Sequence, residues 1–339
     1  MIADPILTLA WLTLAHFVAD FLLQTGGIVA AKTSSGRSAI RGLLAHGFGI
    51  AICLVPFVAA FGVPGAWALV AITVAHLVID RAKVLATRRA EALALADAHR
   101  RHEGRAPAAG LGRAWTPMPA VFFALDQIAH LAVLAIAWTI WLAGQAPTPE
   151  WTSAIGGLLA GRDLAAVHEV VLAGVVLASL VIANVRGGAL FVATLVRPLE
   201  AATGADRPNS AAPTPAEDAA SIEPARRGWS FRIGPLAGRV VADEPQPASD
   251  AATVIGERVA LPPPAQVGAT IGVLERLLIV TFMLAGADAA IGFVIAAKTI
   301  ARFRLLDDRD FAEYYLLGTL ASVSFAIVTS LVARAALSA

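Results

Sequence analysis

Residues 5–24 read PILTLAWLTLAHFVADFLLQ, an apolar run of bilayer length with His16 and Asp20 set four apart inside it. A membrane hydrocarbon core is crossed by about 20 consecutive, mostly apolar helical residues. A secretory signal would carry a basic leading region and no ionisable pair in its apolar core. This segment is therefore predicted to be a retained first membrane helix, with a histidine and a carboxylate on one face.

Working outward, seven further apolar segments follow, over 40–61, 64–84, 118–143, 168–196, 267–286, 287–304 and 311–335. The expected fold is an all-α polytopic transmembrane helical bundle of about eight spans. The segment 287–304 is short, and reads as a re-entrant or tilted piece. Composition agrees: only 15% of the 339 residues are charged, against about 25% in a soluble domain, and the mean hydropathy is +0.71. A net charge of +1 gives no bulk attraction to nucleic acid, so no nucleic-acid partner is expected. Cys53, the single cysteine, excludes an internal disulfide and a cysteine metal motif.

Charge placement tests the span count. Lys and Arg concentrate on the cytoplasmic side of membrane proteins. Lys32, Arg37 and Arg41 fall in the first connection, and a basic stretch from Arg81 to Arg113 in the second. Arg197 to Arg258 fall in the third, and Lys298, Arg302, Arg304 and Arg309 in the fourth. With eight spans all four lie on one side, and the other side has little besides Arg162 and Arg334. The predicted arrangement is a multi-pass protein of a bacterial inner membrane with both termini outside.

Two stretches are not membrane. Residues 85–113 form an Ala- and Arg-rich cytoplasmic segment, expected as an amphipathic or exposed helix. Residues 200–265 hold many prolines, including Pro262, Pro263 and Pro264. Such a composition buries too little apolar surface to offset chain entropy, so most of it is expected to be disordered linker. Alternating pieces around Trp229–Val241 and Val254–Leu261 are candidates for a small hairpin. The linker divides an N-terminal bundle, 1–199, from C-terminal helices, 266–339.

The chemistry is concentrated in the first four spans. His16 and Asp20, His76 and Asp80, and Asp126 and His130 are three pairs at four-residue spacing, and His46 adds a seventh group. Residues four apart share a helix face. Counted at a 1.5 Å rise per residue, all seven fall in one band of the cytoplasmic half. The reversed order in the fourth span is read as changing which member of that pair lies deeper. Buried charge in a bilayer is costly, about 2.5–3.5 kcal/mol for Asp on insertion scales, so these groups are expected to face the bundle interior.

Three readings fit. The pairs bond across helices for packing. They form a proton or ion pathway. Or they hold zinc, manganese or iron, for which imidazole and carboxylate are suitable ligands. Seven groups exceed the four ligands of a structural zinc site. The excess fits either two metals or one metal with supporting partners and a general base. Metal ligands are sought among His16, Asp20, His46, His76, Asp80, Asp126 and His130, and a catalytic carboxylate among Asp20, Asp80 and Asp126. Gln24, Lys32, Lys83 and Gln127 are nearby in sequence and are candidates for the cytoplasmic mouth and for binding substrate.

The segments HFVADFLLQ (16–24), AHLVIDRAK (75–83) and DQIAHL (126–131), with Lys32 and His46, resemble an uncharacterised bacterial membrane family, domain of unknown function 3307. The resemblance covers roughly residues 5–140. It implies that the polar residues just named are signature positions, and it implies no activity. A looser likeness of motif, the intramembrane HxxxD pair, connects the chain to membrane-bound metal-dependent hydrolases.

In the C-terminal helices Glu275 and Arg276 interrupt an apolar run, and Lys298 and Arg302 are four apart. They read either as snorkelling and topology control or, for Arg276, Lys298 and Arg302, as a cationic rim for phosphate or an anionic lipid headgroup. His99, His102 and His168 are not expected to be ligands. The sequence thus predicts an intramembrane metal site, with a metal-dependent hydrolase acting on a membrane-associated substrate as the leading function. A proton- or ion-coupled transporter and a membrane scaffold are the alternatives. Membrane lipids, and an anionic lipid or phosphate substrate, are the expected partners.

Overall fold

The computed structural model describes residues 4–101, 115–197, 228–233, 236–241 and 264–338. Helix α1 (Pro5–Phe17) starts where its sequence says it should. Pro5 stands at the first helical position and Asp4 Oδ1 accepts the Leu7 N–H at 2.7 Å, satisfying a donor that the helix itself leaves free. The helix continues into a π-helical turn, Val18–Leu23. A short α2 (Gly26–Lys32) folds back before α3 (Gly36–Phe61). Gly62, at a φ of +61°, ends α3. Helix α4 (Val63–Arg101) then turns back so closely that a Cβ on Gly65 would lie 2.8 Å from the Phe57 carbonyl carbon. Only glycine permits that reversal.

Helix α5 (Met118–Ala137) also ends in a π-helical turn, Trp138–Leu142. After a short α6 (Pro149–Leu158), the fifth membrane-length helix comprises α7 (Leu164–Ile182), a third π-helical turn at Ala183–Gly187, and α8 (Gly188–Val196). Strands β1 (Gly228–Ile233) and β2 (Leu236–Val241) form an antiparallel hairpin within the first of the two alternating pieces, from Gly228 opposite Val241 to Ile233 opposite Leu236. The second piece, most of the Pro-rich linker, and 102–113 of the basic segment lie outside the described residues. Helices α9 (Pro264–Leu284), α10 (Ala290–Ala301) and α11 (Arg309–Ser338) follow.

Among the described residues seven helices are long and apolar enough to cross a membrane. The protein is an all-α, multi-pass helical bundle. The segment 287–304 is where the expected count of eight meets a limit: α10 has 12 residues, about 18 Å of rise, against a hydrocarbon core of about 30 Å. It returns antiparallel to α9. Lys298 Nζ bonds Glu275 Oε2 at 2.6 Å and lies 5.5 Å over the Tyr315 ring, near the start of α11. Residues 1–201 and 272–339 form one compact unit, and 202–271 a second. The N-terminal bundle and most of the C-terminal helices therefore share a core, and the linker interrupts the sequence of that unit.

Packing is inside-out relative to a water-soluble protein. Phe48, Val78, Ile128, Phe293 and Ile300 point outward, while histidines, carboxylates, a lysine and an arginine are buried. One apolar layer is formed by Leu12, Ile50, Leu54, Ala68, Ile72, Leu134, Ala137 and Leu142 from α1, α3, α4 and α5. A second, of Val176, Leu180, Ile279, Val280, Met283 and Ala326, joins α7, α9 and α11. The first layer sits on one side of the histidines along all four helices. From Leu134 on α5 it continues to Leu142 in the π-helical turn that follows.

Candidate metal centre

Helix direction explains the order of the three pairs. Helices α1 and α4 run toward the end of the bundle where α2 lies, and α5 runs away from it. His16 before Asp20, His76 before Asp80, and Asp126 before His130 therefore all place histidine deeper and aspartate nearer that end. The reversed order on α5 compensates for its direction, correcting the expectation that it would change which member is deeper. The contacts form the corresponding layers. The His76 and His130 ring centroids lie 3.8 Å apart with the rings tilted by 35°, and the His16 ring lies 5.3 Å and 5.0 Å from them. The aspartates meet lysines and a glutamine instead.

At the junction of the layers, donor atoms converge on one point. His46 Nε2 lies 3.1 Å from His76 Nε2 and 3.1 Å from Asp20 Oδ1, and His76 Nε2 lies 2.9 Å from Asp20 Oδ1. Asp80 Oδ2 is the fourth neighbour, 3.2 Å from His46 Nε2 and 4.0 Å from His76 Nε2. All four residues are buried. Yet Asp20 Oδ1 has no hydrogen-bond partner, although two ring nitrogens approach it within 3.1 Å. His46 Nε2 and His76 Nε2 hydrogen-bond to each other, and donor atoms this close could also be gathered around one ion. For metal–ligand bonds of about 2.0–2.1 Å, adjacent ligands stand roughly 2.9 Å apart in octahedral and roughly 3.3 Å apart in tetrahedral geometry. The observed triangle of 2.9–3.1 Å fits that range.

Local structure holds these groups in place. The π-helical turn, which carries i to i+5 bonding and commonly marks functional sites, bears Asp20. Lys32 Nζ donates to Asp80 Oδ2 at 2.7 Å. The short α2 bearing Lys32 packs on α3 at Gly42, where a Cβ would collide with the Lys32 backbone nitrogen and with Ala31. Gln24 Nε2 lies 3.3 Å from His46 Nε2.

A second arm lies beside this triangle. Lys83 Nζ donates to Asp126 Oδ2 at 2.7 Å and lies 3.6 Å from Asp80 Oδ1. Gln127 Nε2 bridges Asp126 Oδ2 at 3.0 Å and Asp20 Oδ2 at 3.3 Å, and its Oε1 lies 3.4 Å from His16 Nε2. His130 is buried with neither ring nitrogen bonded, and Asp126 Oδ1 and Asp80 Oδ1 are also unpartnered. Three overlapping groups have ligand atoms close enough for an ion: His16, Asp20 and His76; His46, His76 and Asp80; and Asp20, Asp126 and His130. All seven sequence-derived ligand candidates are in this one cluster.

Residues 8–156 match the family described as Protein of unknown function (DUF3307). The resemblance seen in HFVADFLLQ, AHLVIDRAK and DQIAHL is thereby shown, and every member of the His/Asp cluster lies within the matched range. No curated protein and no solved structure matches the chain.

The C-terminal candidates lie outside the DUF3307 segment and are engaged differently. Arg276 is buried. Its Nε donates to the Asn184 carbonyl at 2.7 Å and its Nη1 to Ser322 Oγ at 3.1 Å. Its neighbour Glu275 pairs with Lys298 instead. Arg302 caps the end of α10. These three cations do not converge as the His/Asp groups do. His168 lies 3.7 Å from Asp4, at the starts of α7 and α1 and away from the cluster. Sequence reasoning passed over Asn184 and Arg186. Asn184 Nδ2 donates to the Leu180 carbonyl and to Thr329 Oγ1, and Arg186 Nε to the Phe21 carbonyl. The polar run Asn184, Val185, Arg186, Gly187 inside an apolar span was the available signal.

Proposed function

We propose that the protein is a metal-dependent hydrolase whose divalent ion is bound by His46, His76 and Asp20, and that it acts on a membrane-associated substrate. The observation that carries this reading is the triangle of three donor atoms at 2.9–3.1 Å with an unbonded Asp20 Oδ1 at one corner. Three protein ligands leave a position open, as catalytic metal sites do. Zinc, manganese and iron all accept this donor set. The ion would supply a water of lowered pKa. Asp80, whose Oδ2 lies 3.2 Å from His46 Nε2 and accepts from Lys32 Nζ, would serve as the general base. Asp126 holds Lys83, and Gln127 fixes Asp20 through its second oxygen, the kind of outer support that tunes a ligand.

The apolar layer below the histidines favours a site over a through-membrane pathway. Leu12, Ile50, Leu54, Ile72 and Leu134 are all buried there, so an apolar layer borders the polar cluster on that side. Lys32, Arg37, Arg41, Lys83 and Arg88 belong to the opposite end, which by the positive-inside rule is cytoplasmic. The location we propose is a bacterial inner membrane.

The test is release of headgroup or phosphate from a phospholipid panel by the full chain in nanodiscs with added zinc or manganese. Release that stops on chelation and returns with metal is expected. Release that survives chelation, or proton flux into liposomes that vanishes in His76→Ala, would replace this reading with a metal-free or a transport function.

A further inference from the structure

The charge of the cluster and the exposure of one lysine specify what kind of substrate the centre takes. Asp20, Asp80 and Asp126 contribute three negative charges, and Lys32 and Lys83 two positive ones. With neutral histidines the sum is −3 + 2 = −1. A bound divalent ion makes it +1. A net positive charge sealed among membrane helices is costly unless an anion accompanies it. A cationic headgroup would add to that cost.

The two lysines are not equivalent. The Lys32 side chain is 5% exposed, and its Nζ is held by Asp80 Oδ2. The Lys83 side chain is 21% exposed, while Asp80 and Asp126 beside it are 1% exposed. Its Nζ bonds Asp126 Oδ2, stands 3.6 Å from Asp80 Oδ1, and lies 5.7 Å from the Phe123 ring centroid. An ammonium has three N–H donors, and Asp126 uses one at short range. Lys83 therefore reaches the outside and borders Asp80 at the open position of the ion. The charged groups nearest Lys83 in sequence beyond Asp80 are also basic: Arg81, Arg88 and Arg89, and Arg88 donates to the Ser34 carbonyl at 3.1 Å, just before Arg37 and Arg41 at the start of α3.

We infer that the substrate is a phosphate ester, bound with one oxygen on Lys83 Nζ and a second directed at the position beside Asp80. The inference rests on the metal reading above and adds to it the substrate class and the residue that selects it. Lys83 is a binding residue here. It neutralises the oxyanion as the substrate enters, and holds the phosphorus next to the base. A lipid headgroup and a soluble phosphate ester offer the same oxygens.

The test uses the full chain loaded with cobalt(II), whose visible absorption reports its ligands. Inorganic phosphate is titrated into detergent-solubilised protein. In parallel, the protein is placed in nanodiscs of phosphatidylcholine with and without phosphatidic acid. The expected result is a shift of the cobalt bands by phosphate or by phosphatidic acid. Lys83→Gln then needs at least tenfold more of the anion for the same shift, with cobalt content unchanged, and Lys83→Arg restores most of the response. A shift by free phosphate points to a soluble ester, and one confined to phosphatidic acid nanodiscs to a lipid headgroup. Bands that stay fixed in both arms with cobalt bound, or a Lys83→Gln titration equal to wild type, overturn the inference and leave the metal reading standing. Absence of bound cobalt overturns both.

Discussion

Two buried polar assemblies stand on opposite sides of a pair of π-helical turns, and they are built on different rules. In the segment that matches DUF3307, His46, His76 and Asp20 crowd to within 3.1 Å, and Asp20 Oδ1 is left without a hydrogen-bond partner. In the C-terminal helices, Arg276 donates along good lines to the Asn184 carbonyl and to Ser322. The turns touch: a Cβ on Gly187 would lie 3.1 Å from the Phe21 ring, and Arg186 bonds the Phe21 carbonyl at 3.3 Å. A π-helical turn disturbs the regular backbone ladder. At Asn184 an arginine takes the carbonyl, and the result is a packing joint. At Asp20 the turn carries a carboxylate whose Oδ1 has no hydrogen-bond partner among the described residues. Both assemblies leave buried polar atoms unpartnered, Arg276 Nη2 and Asn184 Oδ1 in one and Asp20 Oδ1, Asp80 Oδ1, Asp126 Oδ1 and both His130 nitrogens in the other, and what sets the second apart is the number of ligand-type atoms brought to one place.

Substitutions should separate the two assemblies. Asp80→Asn has the largest expected effect. It removes the base while leaving His46, His76 and Asp20, so hydrolysis should fall by about 10²–10⁴-fold with metal content near wild type, measured as turnover per bound ion. Lys32→Met releases Asp80 from its clamp. Loss of such an outer partner typically costs about 10–100-fold, to be read as turnover per bound ion with metal content near wild type. Gly188→Ala acts on the other side only. The new Cβ would lie 2.8 Å from Arg276 Nε and 2.9 Å from its Cδ, and overpacking of this kind costs about 1–3 kcal/mol. Its melting temperature should drop while metal content holds. A Gly188→Ala protein that loses its metal would show the two assemblies to be one. Arg309→Ala, which breaks a surface pair with Glu313, should leave both melting temperature and metal content unchanged, because exposed pairs contribute little.

The sequence made the spans and the cluster legible for separate reasons. Bilayer length and apolar runs announce a membrane helix whatever its neighbours do, and four-residue spacing of His and Asp fixes a shared face. What spacing cannot carry is direction. The order of Asp126 and His130 becomes meaningful only once α5 is known to run opposite to α1 and α4. Helix α10 was ambiguous because an apolar run of intermediate length fits a tilted span and a short return equally well. The C-terminal cations read as one rim because the span directions put all three in the same half of the membrane. On a helix adjacent residues diverge by about 100°, and Glu275 and Arg276 bond in different places, Glu275 to Lys298 and Arg276 to Asn184 and Ser322. The π-helical turns at Asp20 and Asn184 have no sequence signature used here, although the polar residues they carry were visible.

The most direct test is elemental analysis of the full chain purified in detergent, alongside a His46→Ala, His76→Ala variant shown by circular dichroism to keep its helices. The triangle of His46, His76 and Asp20 predicts about one equivalent of zinc, manganese or iron in the wild type and almost none in the variant. Equal metal in both proteins, or none in the wild type after growth and purification with added metal, would contradict it.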